Sequence, residues 1–185
     1  MKEWSAITEA LARGWQIALL RKGGIVEAAR DGFRLRHREF VLFPTHEHEQ
    51  MKMLRPERAE LVQPPSELIP IRVFAQVVDV LRAPASHGLL LGDDFVWNEA
   101  FLKQRYCYRP DLPLWLLVIR AYRLPETVWI PSRSSYAGCK SWVNLTEEID
   151  VTAAAPVLSE AEFAQRWSTL KDKLGAPDTL NTGAP

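Results

Sequence analysis

Apolar positions recur at helical spacing from the start of the chain. Trp4, Ile7 and Leu11 fall at i, i+3 and i+7, with Ala6 and Ala10 beside them. This stripe predicts a helix that Gly14 stops. Trp15–Leu20 then reads as a strand, Lys22-Gly23-Gly24-Ile25 as a tight hairpin turn, and Ile25–Ala28 as the returning strand. Asp31-Gly32 signals another turn. Phe33–Leu35 and Glu39–Phe43 continue the meander, and Pro44 is expected to end it. The polar stretch from His46 to Glu67 carries three prolines and reads as a loop, with one helical turn around Pro56–Leu61.

The second half has longer elements. Ile69–Leu81 is apolar at both alternating sets of positions toward its middle, which predicts a strand covered on both faces. Asp93 or Asp94 is expected to cap a helix over Phe95–Tyr106. Leu114–Leu124 is the most apolar strand, placed at the centre of the sheet and stopped by Pro125. Trp129-Ile130-Pro131 reads as extended, and Trp142–Leu145 as a last short strand. Ser159 and Glu162 form a capping box, with Phe163, Trp167, Leu170 and Leu174 as the buried stripe of a final helix.

Strands come mostly in runs. The order therefore predicts an α+β fold with a mixed or barrel-like sheet, an N-terminal helix, one helix between two long strands and a C-terminal helix. That middle helix leaves room for one parallel crossover. Residues 1–174 are expected to form a single globular domain, and 175–185, rich in Pro, Gly, Asn and Thr, a disordered tail.

Composition changes this picture little: 47% hydrophobic residues are enough for a core, which excludes global disorder. Charge changes it more. The 23 cationic and 23 anionic residues cancel, which argues against a protein that coats nucleic acid nonspecifically. Yet nine Lys/Arg stand against five Asp/Glu between Arg13 and Arg55, and three against seven from Thr146 onward, so the even total leaves room for a basic face and an acidic tail. Two cysteines without paired spacing read as reduced thiols. With no apolar leader and no run of membrane-span length, a cytoplasmic protein without membrane association is expected.

Several strings occur together. Leu20-Arg21-Lys22-Gly23-Gly24-Ile25 with Glu27 is followed by Phe43-Pro44-Thr45 with His48. Trp97 with Phe101 and Arg105-Tyr106, Pro113-Leu114 with Arg120, Tyr122 and Leu124, and Tyr136 with Gly138-Cys139 and Ser141-Trp142 complete the set. Over residues 4 to 146 the chain resembles the bacterial domain-of-unknown-function family 1802, which has no established activity. The family's association with a restriction-endonuclease N-terminal domain implies a link to DNA restriction. The family carries an aromatic residue where this chain has His46, so the His46-x-His48 pair reads as particular to this chain. The opening helix to Gly14, the strand to Arg21 and the strand ending in Leu124-Pro125 also resemble PUA-like domains of the ASCH and EVE types. That likeness implies a small barrel that binds RNA or modified bases.

Each candidate constellation has a plainer alternative. Arg21-Lys22-Gly23-Gly24 could bring backbone N–H groups and two cations to a phosphate, or be a hairpin with solvated charges. His46-x-His48 in an extended segment would aim both rings the same way, as metal ligands must, with Glu27, Asp31 or His87 as a third ligand; otherwise it is an exposed polar loop. Glu27, Asp31 and Glu39 invite a nuclease reading, but the lysine such sites carry is missing after Glu39. Cys139 could be a thiol activated by Lys140, although no partner histidine follows from the sequence. Arg120 in an apolar strand needs a partner, with Asp79 the nearest candidate, or else faces a cleft. Trp97, Trp115 and Trp142 could stack bases or simply fill the core.

Three functions stay open. The first is a nucleic-acid or nucleotide binding module using Arg21, Lys22, Arg105, Arg120, Lys140 and Trp142. The second is a hydrolase or nuclease using Glu27 and His48, which alone would require a divalent metal. The third is a structural or interaction protein. The first requires a contiguous positive cleft beside an exposed ring, and Lys22, His48 and Trp142 are expected to share one surface.

Overall fold

The computed structural model describes residues 1–22, 33–84 and 87–175. In chain order these form β1 (Lys2–Trp4), α1 (Ser5–Ala12), β2 (Ala18–Arg21), β3 (Glu39–Val41), β4 (Phe43–Thr45) and β5 (Leu68–Arg82). Then come α2 (Glu99–Cys107), β6 (Trp115–Pro131), β7 (Ala155–Pro156) and α3 (Glu160–Leu174). The fold is α+β, with helices near both ends and one between the two long strands. No helix among the described residues is long and apolar enough to cross a membrane.

The long strands β5 and β6 form an antiparallel ribbon at the centre of a sheet ordered β2-β6-β5-β3, with β7 joining β6. Their antiparallel pairing rules out the parallel crossover that the element order left room for around α2. Residues 116–121 of β6 are buried in an unbroken run, as befits the central strand. β5 departs from expectation. Ile71, Val73, Ala75 and Val77 are buried while the alternating positions are half-buried and Val78 is exposed, so only one face is fully covered. The register shifts between Val77 and Asp79, where Val78 is the extra residue of a bulge.

Pro125 does not stop β6. The ladder passes from Val73–Arg123 directly to Ile71–Val128, leaving residues 124–127 outside the pairing. A proline lacks the N–H a ladder needs, and it sits where the ladder is interrupted. Pro44 likewise lies inside β4, which pairs in parallel with β1 as a separate two-stranded sheet. This parallel pair makes the β-structure mixed.

The helices share one core with the sheet. Ile7 and Leu11 of α1, Phe101 and Leu102 of α2, and Phe163 and Leu170 of α3 join Val73, Ala75, Val77 and residues 116–119. A second cluster of Phe43, Ile71, Leu124, Ile130 and Tyr136 lies at the other end of the ribbon. Val143 and Leu145 pack against it without forming the strand expected over Trp142–Leu145. Phe33–Leu35 is not a strand either, and β2 begins at Ala18, not Trp15.

Local signals set the helix ends. Gly14 closes the first turn region with φ +67, a left-handed conformation suited to glycine, and a Cβ there would meet Leu158 Cδ2 at 2.7 Å. α2 starts later than expected, because Phe95 and Val96 are buried outside any helix and Trp97 forms an isolated bridge with Leu54. Asn98, not Asp93 or Asp94, is its cap, accepting from the Phe101 N–H. The α3 capping box is complete: Ser159 Oγ accepts from Glu162 N–H, and Glu162 Oε2 accepts from Ser159 N–H.

Candidate functional site

β1, the end of β2, the loop after β4, the last turn of α2 and the loop at 138–141 meet around a cleft of about 370 Å³. Arg21, Lys22, His48, Arg105, Cys139 and Lys140 all line it. Residues from five separate stretches of the chain thus reach one surface. Gly23, Gly24, Glu27 and Asp31 lie outside the described residues, as does the side chain of His87.

Lys22 is not a solvated hairpin charge. It is buried, and its Nζ donates to the carbonyls of Arg105 and Tyr106 at 3.1 and 2.9 Å. These are carbonyls of the last turn of α2, which lack intrahelical partners, so Lys22 satisfies them and places a cation at the negative helix end. Burial pushes its ammonium below the usual lysine range, against the opposing pull of Asp111 and Cys107. Arg21 is also committed, pairing with Glu3 Oε2 at 2.8 Å and donating to the Lys2 carbonyl at 2.7 Å.

Arg105 stands differently. A column of rings leads to it: Phe95 on Trp97 at 4.5 Å, Trp97 on Phe101 at 5.5 Å, and Trp4 edge-on to Phe101 at 5.2 Å. Phe101 and Arg105 are one turn apart on α2, which lays the guanidinium over the Phe101 ring at 5.1 Å and near Trp4 at 6.0 Å. Its Nε is buried and has no hydrogen-bond partner, and the same holds for Arg21 Nε. Burial lowers the Arg105 pKa, Glu3 opposes that shift and Arg21 adds to it. A guanidinium keeps its charge in proteins, so the unmet need is for an acceptor.

The rim is built by a cross-link between loops. Lys2 Nζ bonds Glu47 Oε2 and the carbonyls of Tyr136 and Gly138, each at 2.9 Å. Glu47 Oε1 accepts from Gly138 N–H at 2.9 Å, and the Glu47 carbonyl accepts from Trp4 Nε1 at 3.1 Å. Glu47 and Gly138 immediately precede His48 and Cys139. The result sets His48 Nε2 3.3 Å from Cys139 Sγ. Lys140 Nζ reaches back to the Ser135 carbonyl at 3.3 Å.

Three expected participants lie elsewhere. The Trp142 indole is half-buried and packs edge-on against Phe40 at 5.2 Å and beside Phe33 at 6.5 Å, so it walls the core and does not line the cleft. Arg120 pairs with Glu160 at 2.7 Å, not with Asp79, donates to the Ser159 carbonyl and stacks on Phe163, fastening α3 to the sheet. Asp79 is held apart because it pairs in register with Val118, while Gln76 faces Arg120. His46 points away from His48, bonding Glu49 Oε2 at 2.9 Å. The extended geometry that would have paired them is broken by a turn in which His48 has φ 60 and Glu49 N–H bonds the His46 carbonyl. Among the described residues no group of three His, Cys, Asp or Glu is arranged to hold a metal ion.

The structure adds residues that the sequence did not suggest. Lys2, Glu3 and Trp4 line the cleft because β1 precedes the first helix, where only a helical stripe was read. Tyr108, exposed at 38%, is the ring at the mouth, a position taken by Trp142 in the sequence reading. A lone Tyr after a helix carries no sequence signal that could have found it. Compared with known proteins, residues 1–169 of the 185 match the model of the family described as Domain of unknown function (DUF1802). No curated protein and no solved structure matches the chain.

Proposed function

The chain belongs to this family of domains of unknown function, and from the cleft itself we propose that it is a binding module for the phosphate of a nucleotide or nucleic acid. The observation that carries this reading is Arg105, a cleft-lining cation stacked on Phe101 whose buried Nε has no hydrogen-bond partner. An unpaired buried donor costs about 1–3 kcal/mol, and the guanidinium that carries it belongs to a residue lining the cleft. Phosphate is the acceptor best matched to a planar guanidinium with lysine beside it. Lys140 and Lys22 add positive charge, and Tyr108 offers a face for a base. A cytoplasmic setting with reduced thiols, and a role alongside DNA restriction, are the narrower form of the same proposal.

Titration of labelled single- and double-stranded DNA, RNA and ATP at several salt concentrations tests it. Affinity should fall with salt, and Arg105→Gln should weaken binding about tenfold or more while the parent melting temperature is retained. Absence of binding to every one of these at low salt would overturn the reading.

A further inference from the structure

Phosphate recognition leaves one pair in the cleft without a role. His48 Nε2 and Cys139 Sγ sit 3.3 Å apart across 91 residues of sequence. That is the nucleophile-to-base distance of a thiol that can be deprotonated by its neighbour. The pair is not an accident of two mobile side chains, since the Glu47–Gly138 bond and the Lys2 ammonium tie together the residues that precede each member. His48 is exposed and Cys139 half-buried, so the sulfur can be reached from the cleft. Arg105, a cation whose Nε has no hydrogen-bond partner, lines the same cleft and favours an anion there.

We propose that Cys139 is a nucleophile activated by His48, and that its substrates are acyl esters on a phosphate-bearing carrier. The substrate class rests on the phosphate reading above; the nucleophile does not. His48 Nε2 takes the proton from Sγ, and the sulfur attacks the carbonyl carbon. An S–C bond forms, the C–O bond to the carrier breaks, and His48 returns the proton to the departing carrier oxygen. Water then attacks the thioester with His48 as base, the S–C bond breaks, and Sγ recovers its proton. The sum is ester plus water giving acid plus carrier alcohol, with no change of oxidation state.

Cys107, exposed at the end of α2, is an internal reference in the same chain. The full chain is alkylated with iodoacetamide and with iodoacetate and mapped by peptide mass spectrometry. In both reactions an S–C bond forms, iodide leaves and the thiol proton passes to the base. Cys139 should react at least about tenfold faster than Cys107 near neutral pH, and should favour the anionic reagent more than Cys107 does. Acetyl phosphate, a small phosphate-bearing acyl donor, should acetylate Cys139 in preference to Cys107. His48→Asn, a residue that tolerates the left-handed backbone at this position, should bring Cys139 to within about twofold of Cys107 with unchanged melting. Arg105→Gln should abolish the preference for iodoacetate. Equal rates at the two cysteines, or a rate indifferent to His48→Asn, would overturn the nucleophile. A fast, His48-dependent Cys139 with no preference for anions would uphold the nucleophile and overturn its substrate class.

Discussion

At the scale of single residues, Lys22 shows how a side chain's meaning depends on what it touches. Read along the chain, it sits beside two glycines and looks like a charge at a hairpin tip. In the fold its Nζ satisfies two carbonyls of α2 that lie 83 and 84 residues away. No local pattern encodes such a partner. Lys22→Ala leaves both carbonyls unmet next to a buried wall, and should destabilise the protein by about 1–3 kcal/mol in urea unfolding. A change within about 0.5 kcal/mol, the usual range of an exposed substitution, would show that the lysine is solvated after all. Arg105 teaches the complementary lesson. Its type was legible as a candidate, but its distinguishing property, a buried donor without an acceptor, belongs to three dimensions alone.

At the scale of elements, legibility followed the range of the interactions. The α3 capping box was readable because its two hydrogen bonds join residues three apart. The central place of β6 was readable because burial on both faces requires an unbroken apolar run. Its length was not, since the effect of Pro125 depends on whether a ladder partner is waiting opposite. β1 escaped notice because a three-residue strand carries too little periodicity, and β4 reads along the chain as the end of the strand that begins at Glu39. The segment after β6 is held by charge instead of by a ladder. Arg133 Nη2 reaches Glu147 Oε1 at 2.7 Å, and Tyr136 donates to Glu147 Oε2 at 2.8 Å. The Arg133 hydrogen bond, with help from Tyr136 and Thr146, lowers the Glu147 carboxyl from 4.5 to about 2. A depressed folded-state pKa means stability that is fully present above the ordinary value and lost as pH falls from 4.5 through about 2. The parent should therefore lose melting temperature over that window more steeply than Glu147→Gln does. Parallel acid limbs in the two proteins would remove Glu147 from the account.

At the scale of the molecule, the cleft is a product of topology. Its cations were readable as types and its histidine and cysteine as weak candidates, but their meeting required β1 to lie beside β4 and the 138–141 loop to fold back on both. The bonds that make this happen join positions 45, 91, 134 and 136 residues apart. Closing such distances is entropically costly and comes late in folding. The dyad then serves as a chronometer of assembly. In stopped-flow refolding, His48-dependent labelling of Cys139 should emerge with the slowest phase that restores native fluorescence. Labelling that matures in an earlier phase would mean that the rim forms without the rest. A newly made chain, on this account, lacks the His48-activated thiol until its first strand is in place. With Cys139 as the proposed nucleophile, the Lys2–Glu47–Gly138 cross-link would tie its activation by His48 to the joining of these distant segments.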